Sequence, residues 1–216
     1  MSEITRITVI RHGETEWNQT MRLQGKQDSP LTKKGWEQAE KVAAAIKDEK
    51  FDCFITSDLG RALDTSKVIN RYHNLKLIKN ENLRERNFGV MEGLTRDEIK
   101  DKFTEVYNGY MHRKEKYEIP GGESLVTFYK RVTDEMNVIV RKYKGQNILV
   151  VAHGGVLDCI MRMMFNYPLS ARRGFSIYNA AINMFSYEDN KWMLEQWGNT
   201  DHLDQTGSLD ELKKPI

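Results

Sequence analysis

Two stretches decide how this chain is read: Ile7-Thr8-Val9-Ile10-Arg11-His12-Gly13 and Asn147-Ile148-Leu149-Val150-Val151-Ala152-His153-Gly154-Gly155. Each is a short apolar run that stops at a histidine followed by glycine. Such runs, apolar at successive positions, fit strands buried on both faces, as in a parallel sheet covered by helices. A third run, Phe51-Asp52-Cys53-Phe54-Ile55-Thr56-Ser57, has the same character. The predicted strands are therefore 7–11, 51–57 and 147–153.

Segments of helical period lie between them. Thr32 is placed to cap a helix carrying Trp36, Ala39, Ala43 and Ile46 on one face. Ala62, Thr65, Ile69 and Tyr72 share a face after the second strand. Leu125, Phe128, Val132, Met136, Ile139 and Tyr143 form a long stripe before the third, with Ser124 as a candidate N-cap. Val156, Ile160 and Met163 continue after it. A hairpin of 183–187 and 191–197 closes the pattern, and its aromatic residues, Phe175, Tyr178, Phe185, Tyr187, Trp192 and Trp197, read as core. Strands alternating with helices give an α/β three-layer sandwich with a mostly parallel central sheet flanked by helices. The expected organisation is one domain over 1–203, a polar tail over 204–216, and a charged helical insert over 93–122 that covers a site.

The totals narrow the function. The 216 residues carry 33 basic and 31 acidic side chains, a formal net charge of +2. That balance points away from nucleic acid and membrane as partners. No run approaches the roughly 20 apolar residues of a membrane span, and no secretory signal is visible, so a cytoplasmic protein is expected. Cys53 and Cys159 sit in apolar runs and read as core residues in a reducing compartment. A monomer or a homodimer is equally compatible with this sequence.

In open parallel sheets, ligands bind beyond the carboxyl ends of the strands. Arg11-His12-Gly13, Thr56-Ser57 with Arg61 one helical turn on, and Ala152-His153-Gly154-Gly155 all fall there. Guanidinium forks match phosphate oxygens and stay charged. A neutral imidazole with one nitrogen held protonated and the other bare is a nucleophile. Glycine after each histidine lets the backbone approach a ligand, and its N–H can donate to an oxyanion. Phosphoryl transfer needs mostly positioning and charge neutralisation, which arginines supply in place of Mg²⁺. Glu85, in Leu83-Arg84-Glu85-Arg86, is the candidate general acid for the leaving alkoxide, its proton retained by burial. The bland alternatives are a capping His12, a structural His153, a solvated Arg61 and a surface ion pair at Glu85. For Arg6, Arg84 and Arg86 the solvated reading is preferred. Arg172 and Arg173 are expected to be exposed, with a pocket rim as the alternative, and His73, His112 and His202 to be surface or packing residues. Zinc on His12, His153 and Glu85 ranks low, because neighbouring guanidiniums oppose a cation. No metal and no cofactor are expected.

Arg11-His12-Gly13-Glu14-Thr15, Ser57-Asp58-Leu59-Gly60-Arg61-Ala62, Leu83-Arg84-Glu85 with Phe88-Gly89 and Glu92-Gly93, and His153-Gly154-Gly155 occur in the order seen in the histidine phosphatase, or phosphoglycerate mutase-like, superfamily. The chain resembles that family over most of its length. The resemblance implies a phosphohistidine at His12. Arg11, Arg61, His153 and Asn18 would hold the phosphoryl oxygens. Glu85 would serve first as acid and then as base. Gln24 and Gly25 would line the pocket, with Gly154 beside the phosphate. It further implies either a phosphatase or a mutase. Related mutases carry Tyr-Gly and then Gly-Leu-Asn-Lys; here Phe88 replaces the tyrosine and Thr95-Arg96 the Asn-Lys pair. Glu92-Gly93, and Gln24-Gly25 followed by Asp28-Ser29-Pro30-Leu31-Thr32, resemble phosphatase branches. So does the end of the chain, 201–203 with 209–212. The expectation is a metal-independent hydrolase of small phosphorylated metabolites, with a mutase as the alternative and a non-catalytic phosphate-binding protein third.

Overall fold

The computed structural model describes residues 3–203. In chain order the elements are β1 Thr5–Arg11, α1 Glu16–Gln19, α2 Lys33–Ala45, β2 Cys53–Thr56, α3 Gly60–His73, β3 Leu77–Lys79, α4 Arg96–Lys102, α5 Thr104–Met111, α6 Leu125–Lys142, β4 Asn147–Ala152, α7 Gly154–Phe165, β5 Ile182–Glu188 and β6 Lys191–Asn199. The six strands form one sheet in the order β3-β2-β4-β1-β5-β6. β1 to β4 run parallel, while β5 and β6 are antiparallel additions at one side.

The strand runs are apolar at successive positions because both sheet faces are covered. Ile7, Val9, Ile148 and Val150 point into a core built with α6 and α7, through Phe128, Val132, Met136, Val156 and Ile160. Their neighbours Ile10, Leu149 and Val151 point the other way, against Ala39, Val42 and Ala43 of α2 and Ala62 and Ile69 of α3. Fully burying a side chain such as Val150 is worth about 1.5–3 kcal/mol, so a register slip on β1 or β4 is strongly disfavoured.

Both predicted caps are present. Thr32 Oγ1 accepts the Gly35 N–H at 2.9 Å, and Ser124 Oγ accepts that of Thr127 at 3.1 Å. Two residues assigned to apolar stripes do not belong there: Trp36 and Tyr72 are 41% and 53% exposed, at the outer margins of α2 and α3. β3 was not legible, because a three-residue edge strand is too short to show a period. The aromatic hairpin packs as expected for Phe175, Phe185, Tyr187, Trp192 and Trp197; Tyr178 lies outside that cluster. The 93–122 segment forms α4 and α5 around a small cluster of its own, with Met91, Ile99 and Ile119 at its centre. The proposed polar tail, 204–216, lies outside the described residues.

The turn after β1 is pressed onto the start of α2. A Cβ on Gly35 would overlap the Glu14 carbonyl, and one on Gly13 would overlap that of Gly35. Gly35→Ala is expected to destabilise the fold by about 2 kcal/mol or more, read as a lower urea midpoint. An unchanged midpoint would show that this close approach is not required.

Candidate active site

β2, β4 and β1 are neighbours, so their carboxyl ends converge. His12 follows β1 and donates its N–H to the Ala152 carbonyl at 3.1 Å, while His153 follows β4 as the residue before α7. Their ring centroids are 5.2 Å apart. Ser57, at the end of β2, meets His153 Nε2 through Oγ at 2.8 Å. The three strand ends therefore place two imidazoles side by side in a buried position.

His12 Nδ1 lies 2.7 Å from the Gly13 carbonyl oxygen, which selects the tautomer with the proton on Nδ1. Nε2 is left as the acceptor, and Arg61 Nε approaches it at 3.3 Å. His12 is 3% exposed. Burial first, then the charges of Arg61 and Arg11, hold its pKa well below the usual 6.5, against the opposing effect of the Gly13 bond. His153 is shifted the same way, by burial and then by Arg61, His12 and Arg11. Both rings are therefore neutral at pH 7.

Arg61 comes from the first turn of α3 and is buried rather than solvated. Nη1 donates to the Gln27 carbonyl and to Asp28 Oδ1, and Nη2 to the Gly25 carbonyl. Much of its fork is thus occupied in holding the 25–28 loop. Asp28 also accepts the N–H groups of Gly60 and Arg61, capping α3 from a distant part of the chain. Arg11 is anchored by Nη1 to the Ile177 carbonyl.

The cavity in front of His12 is lined by Arg11, Gln24, Gly25, Arg61, Glu85 and Gly154, all expected, and by several residues that were not. Glu85 is half-buried there, with one oxygen accepting the Gly155 N–H at 2.9 Å and the other that of Arg86 at 2.7 Å. Asn18 and His153 sit outside the cavity wall. Asn18 Oδ1 closes a capping box with Thr15 at the start of α1, and Asn179 bridges toward it while donating to the His12 carbonyl at 3.0 Å.

Several expectations need correction. The Gly13 N–H is not aimed at a ligand, since it donates to Thr65 Oγ1 at 3.1 Å. Arg86 is buried, donating to the Glu123 carbonyl and lying over the Phe88 ring, because its segment folds under α6 rather than out to solvent. Arg84 pairs with Asp58 at the half-exposed edge. Arg173 lines the cavity, whereas Arg172 is exposed. Arg96, of the Thr95-Arg96 pair that stands where related mutases carry Asn-Lys, also lines it, as does Tyr110 from α5. Asn179 and the 177–180 backbone carried no motif, and Ser57 stood in one without a role of its own, because their contacts arise from strand ends meeting in space.

Residues 7–200 match the histidine phosphatase superfamily (branch 1). The chain is 37% identical to phosphoglycerate mutase-like protein 4 of Arabidopsis thaliana, over 94% of this chain and 89% of that one. It is 35% identical to a metal-independent phosphoserine phosphatase of the same plant, over 96% and 87%. Among solved structures, a mutant phosphoserine phosphatase of Entamoeba histolytica in complex with phosphoserine superposes with a TM-score of 0.82 at 27% identity, covering 92% of this chain and 99% of that one. With the ordered motifs, the paired histidines at neighbouring strand ends and these matches together, the chain belongs to the histidine phosphatase superfamily, branch 1.

Proposed function

We propose that this protein hydrolyses small phosphate monoesters through a phosphohistidine on His12, without a metal ion. The observation that carries this reading is the state of His12. It is a buried neutral imidazole with Nδ1 held by the Gly13 carbonyl and Nε2 left unprotonated, accepting from Arg61 Nε at 3.3 Å. In the first step Nε2 attacks phosphorus and the ester P–O bond breaks. Glu85 gives its proton to the departing alkoxide oxygen. In the second step water attacks the phosphoryl group, Glu85 takes the proton from it, and the P–N bond breaks to release phosphate and neutral His12. Arg11 and Arg61 offset the charge on the phosphoryl oxygens, with the Gly154 backbone as a further contact, while His153 and Asn18, outside the cavity wall, support the His12 side of the site. Gln24 and Gly25 bound the space for the ester group.

Branch-1 membership and the phosphoserine phosphatases among its relatives support hydrolysis. The test is EDTA-resistant release of phosphate from p-nitrophenyl phosphate and from a panel of phosphorylated metabolites, with vanadate inhibition. Release that depends on added metal would overturn the metal-independent reading. Arg96 and Tyr110 at the cavity favour keeping mutase chemistry as a second reading. It requires phosphoglycerate isomerisation that outpaces phosphate release and depends on a bisphosphorylated primer.

Gly155 is a sharp probe of Glu85. A Cβ there would overlap Glu85 Oε1 and crowd the Phe128 ring. Gly155→Ala is expected to lower kcat by about 100-fold through displacement of the acid. The loss should be smaller for p-nitrophenyl phosphate, whose leaving group needs no proton. Equal losses on alkyl and nitrophenyl esters would argue against Glu85 as the acid.

A further inference from the structure

We propose that Glu92 is a positioning residue for Arg61, acting through the backbone of the 25–28 loop. The proposal rests on the reading of Arg61 and His12 as the phosphoryl site. Glu92 touches neither of them. Its Oε1 accepts the N–H of Lys26 at 2.9 Å and that of Phe88 at 2.9 Å, and its Oε2 accepts the N–H of Gln27 at 3.1 Å. On the far side of the same loop, the carbonyls of Gly25 and Gln27 accept from Arg61 Nη2 and Nη1, each at 2.8 Å. Arg61 Nε then faces His12 Nε2 at 3.3 Å.

The loop is thus sandwiched between an anion on its N–H side and a cation on its carbonyl side. The 25–26 peptide spans both, its carbonyl accepting from Arg61 and its N–H donating to Glu92, so each charge reinforces the geometry set by the other. Gly25 is part of this arrangement. Its φ is +57°, and a Cβ would overlap the Glu92 carboxylate, so the loop can lie this close to Glu92 only with glycine at that position. The bond to Phe88 extends the tie to the segment that carries Glu85. One carboxylate therefore braces the Arg61 loop and the Glu85 segment against each other.

A carboxylate is required rather than an amide. In Glu92→Gln one acceptor oxygen remains, and an NH₂ group faces a backbone N–H, donor against donor. The effect should be partial with Gln and large with Ala.

The test is a double-mutant cycle with two readouts. In unliganded protein the ¹⁵N resonance of His12 Nε2 reports whether Arg61 donates to it, whether or not the protein turns over. Glu92→Ala is expected to move that resonance to the position it has in Arg61→Ala, and Glu92→Gln to move it part-way. In turnover of p-nitrophenyl phosphate, Glu92→Ala should lower kcat/KM by about 30-fold in the native background and by about threefold or less in Arg61→Ala. A purely structural role would cost the same factor in both backgrounds and leave the resonance at its native position, and either result overturns the proposal. Should Glu92→Ala not fold, Glu92→Gln carries the same comparison. If the native protein hydrolyses no phosphate ester, the functional reading fails, and the resonance still decides the role of Glu92.

Discussion

His12→Ala is expected to lower kcat for phosphate-ester hydrolysis by about 10,000-fold or more, and to remove the acid-labile phosphate otherwise trapped on the protein by quenching during turnover. The size follows from the site. His153 cannot take over as nucleophile, because it is fully buried and, unlike His12, does not line the cavity. The substitution leaves the β1 backbone bonds untouched, since the His12 N–H to the Ala152 carbonyl and the Asn179 bond to the His12 carbonyl involve main-chain atoms of residue 12. Arg11 and Arg61 remain in place around the vacated volume, so the variant should still bind vanadate or inorganic phosphate. Retention of more than about 1% of native kcat in a well-folded variant, beyond what the remaining binding site contributes, would end the assignment of His12 as nucleophile.

Acid should destabilise this protein earlier than its carboxylates alone would. His12 and His153 are buried neutral, with pKa values held well below 6.5 chiefly by burial. Above pH 6.5 neither the folded nor the unfolded chain protonates them, and they contribute nothing to the pH dependence. Below 6.5 the unfolded chain takes up a proton at each while the folded one does not, so stability falls as pH falls. The pair should remove about 2 kcal/mol between pH 6.5 and 5.5. Urea titrations at pH 7.5, 6.5 and 5.5 read this directly. His12→Ala should lose about 1 kcal/mol less over the same range, because one of the two fully buried groups is gone. His73 and His202, both partly exposed and also shifted downward, form a background common to both proteins. Identical pH slopes in native protein and variant would show that His12 is not held neutral by the fold. In turnover, by contrast, protonation of His12 should lower kcat/KM only well below pH 6.5, because the folded enzyme keeps that ring neutral.

Much of the site was legible because its chemistry is local to strand ends. Arg11, His12, His153 and Gly154 each close or follow an apolar run, and the rule that parallel strands offer their carboxyl ends to ligands places them together. Arg61 was reached through its position one turn after β2, although its many bonds to the 25–28 loop were not foreseen. Glu85 was chosen as the carboxylate that a fourth segment could supply, and the resemblance added its place among the motifs. Nothing in its charged neighbourhood announces that Arg86 turns inward while Glu85 reaches the Gly155 N–H.

The sequence by itself determined the layer order, the buried strands, the caps at Thr32 and Ser124, and the presence of two histidines and two arginines on one sheet edge, because period and punctuation are properties of neighbours along the chain. Tertiary structure alone decided which guanidiniums face the cavity, why Gly13 and Gly155 must lack side chains, and where Asp28, Glu92 and Asn179 make their hydrogen bonds around Arg61 and His12. Those roles depend on contacts between segments tens of residues apart, and residue type carries no record of such distances until the chain has folded.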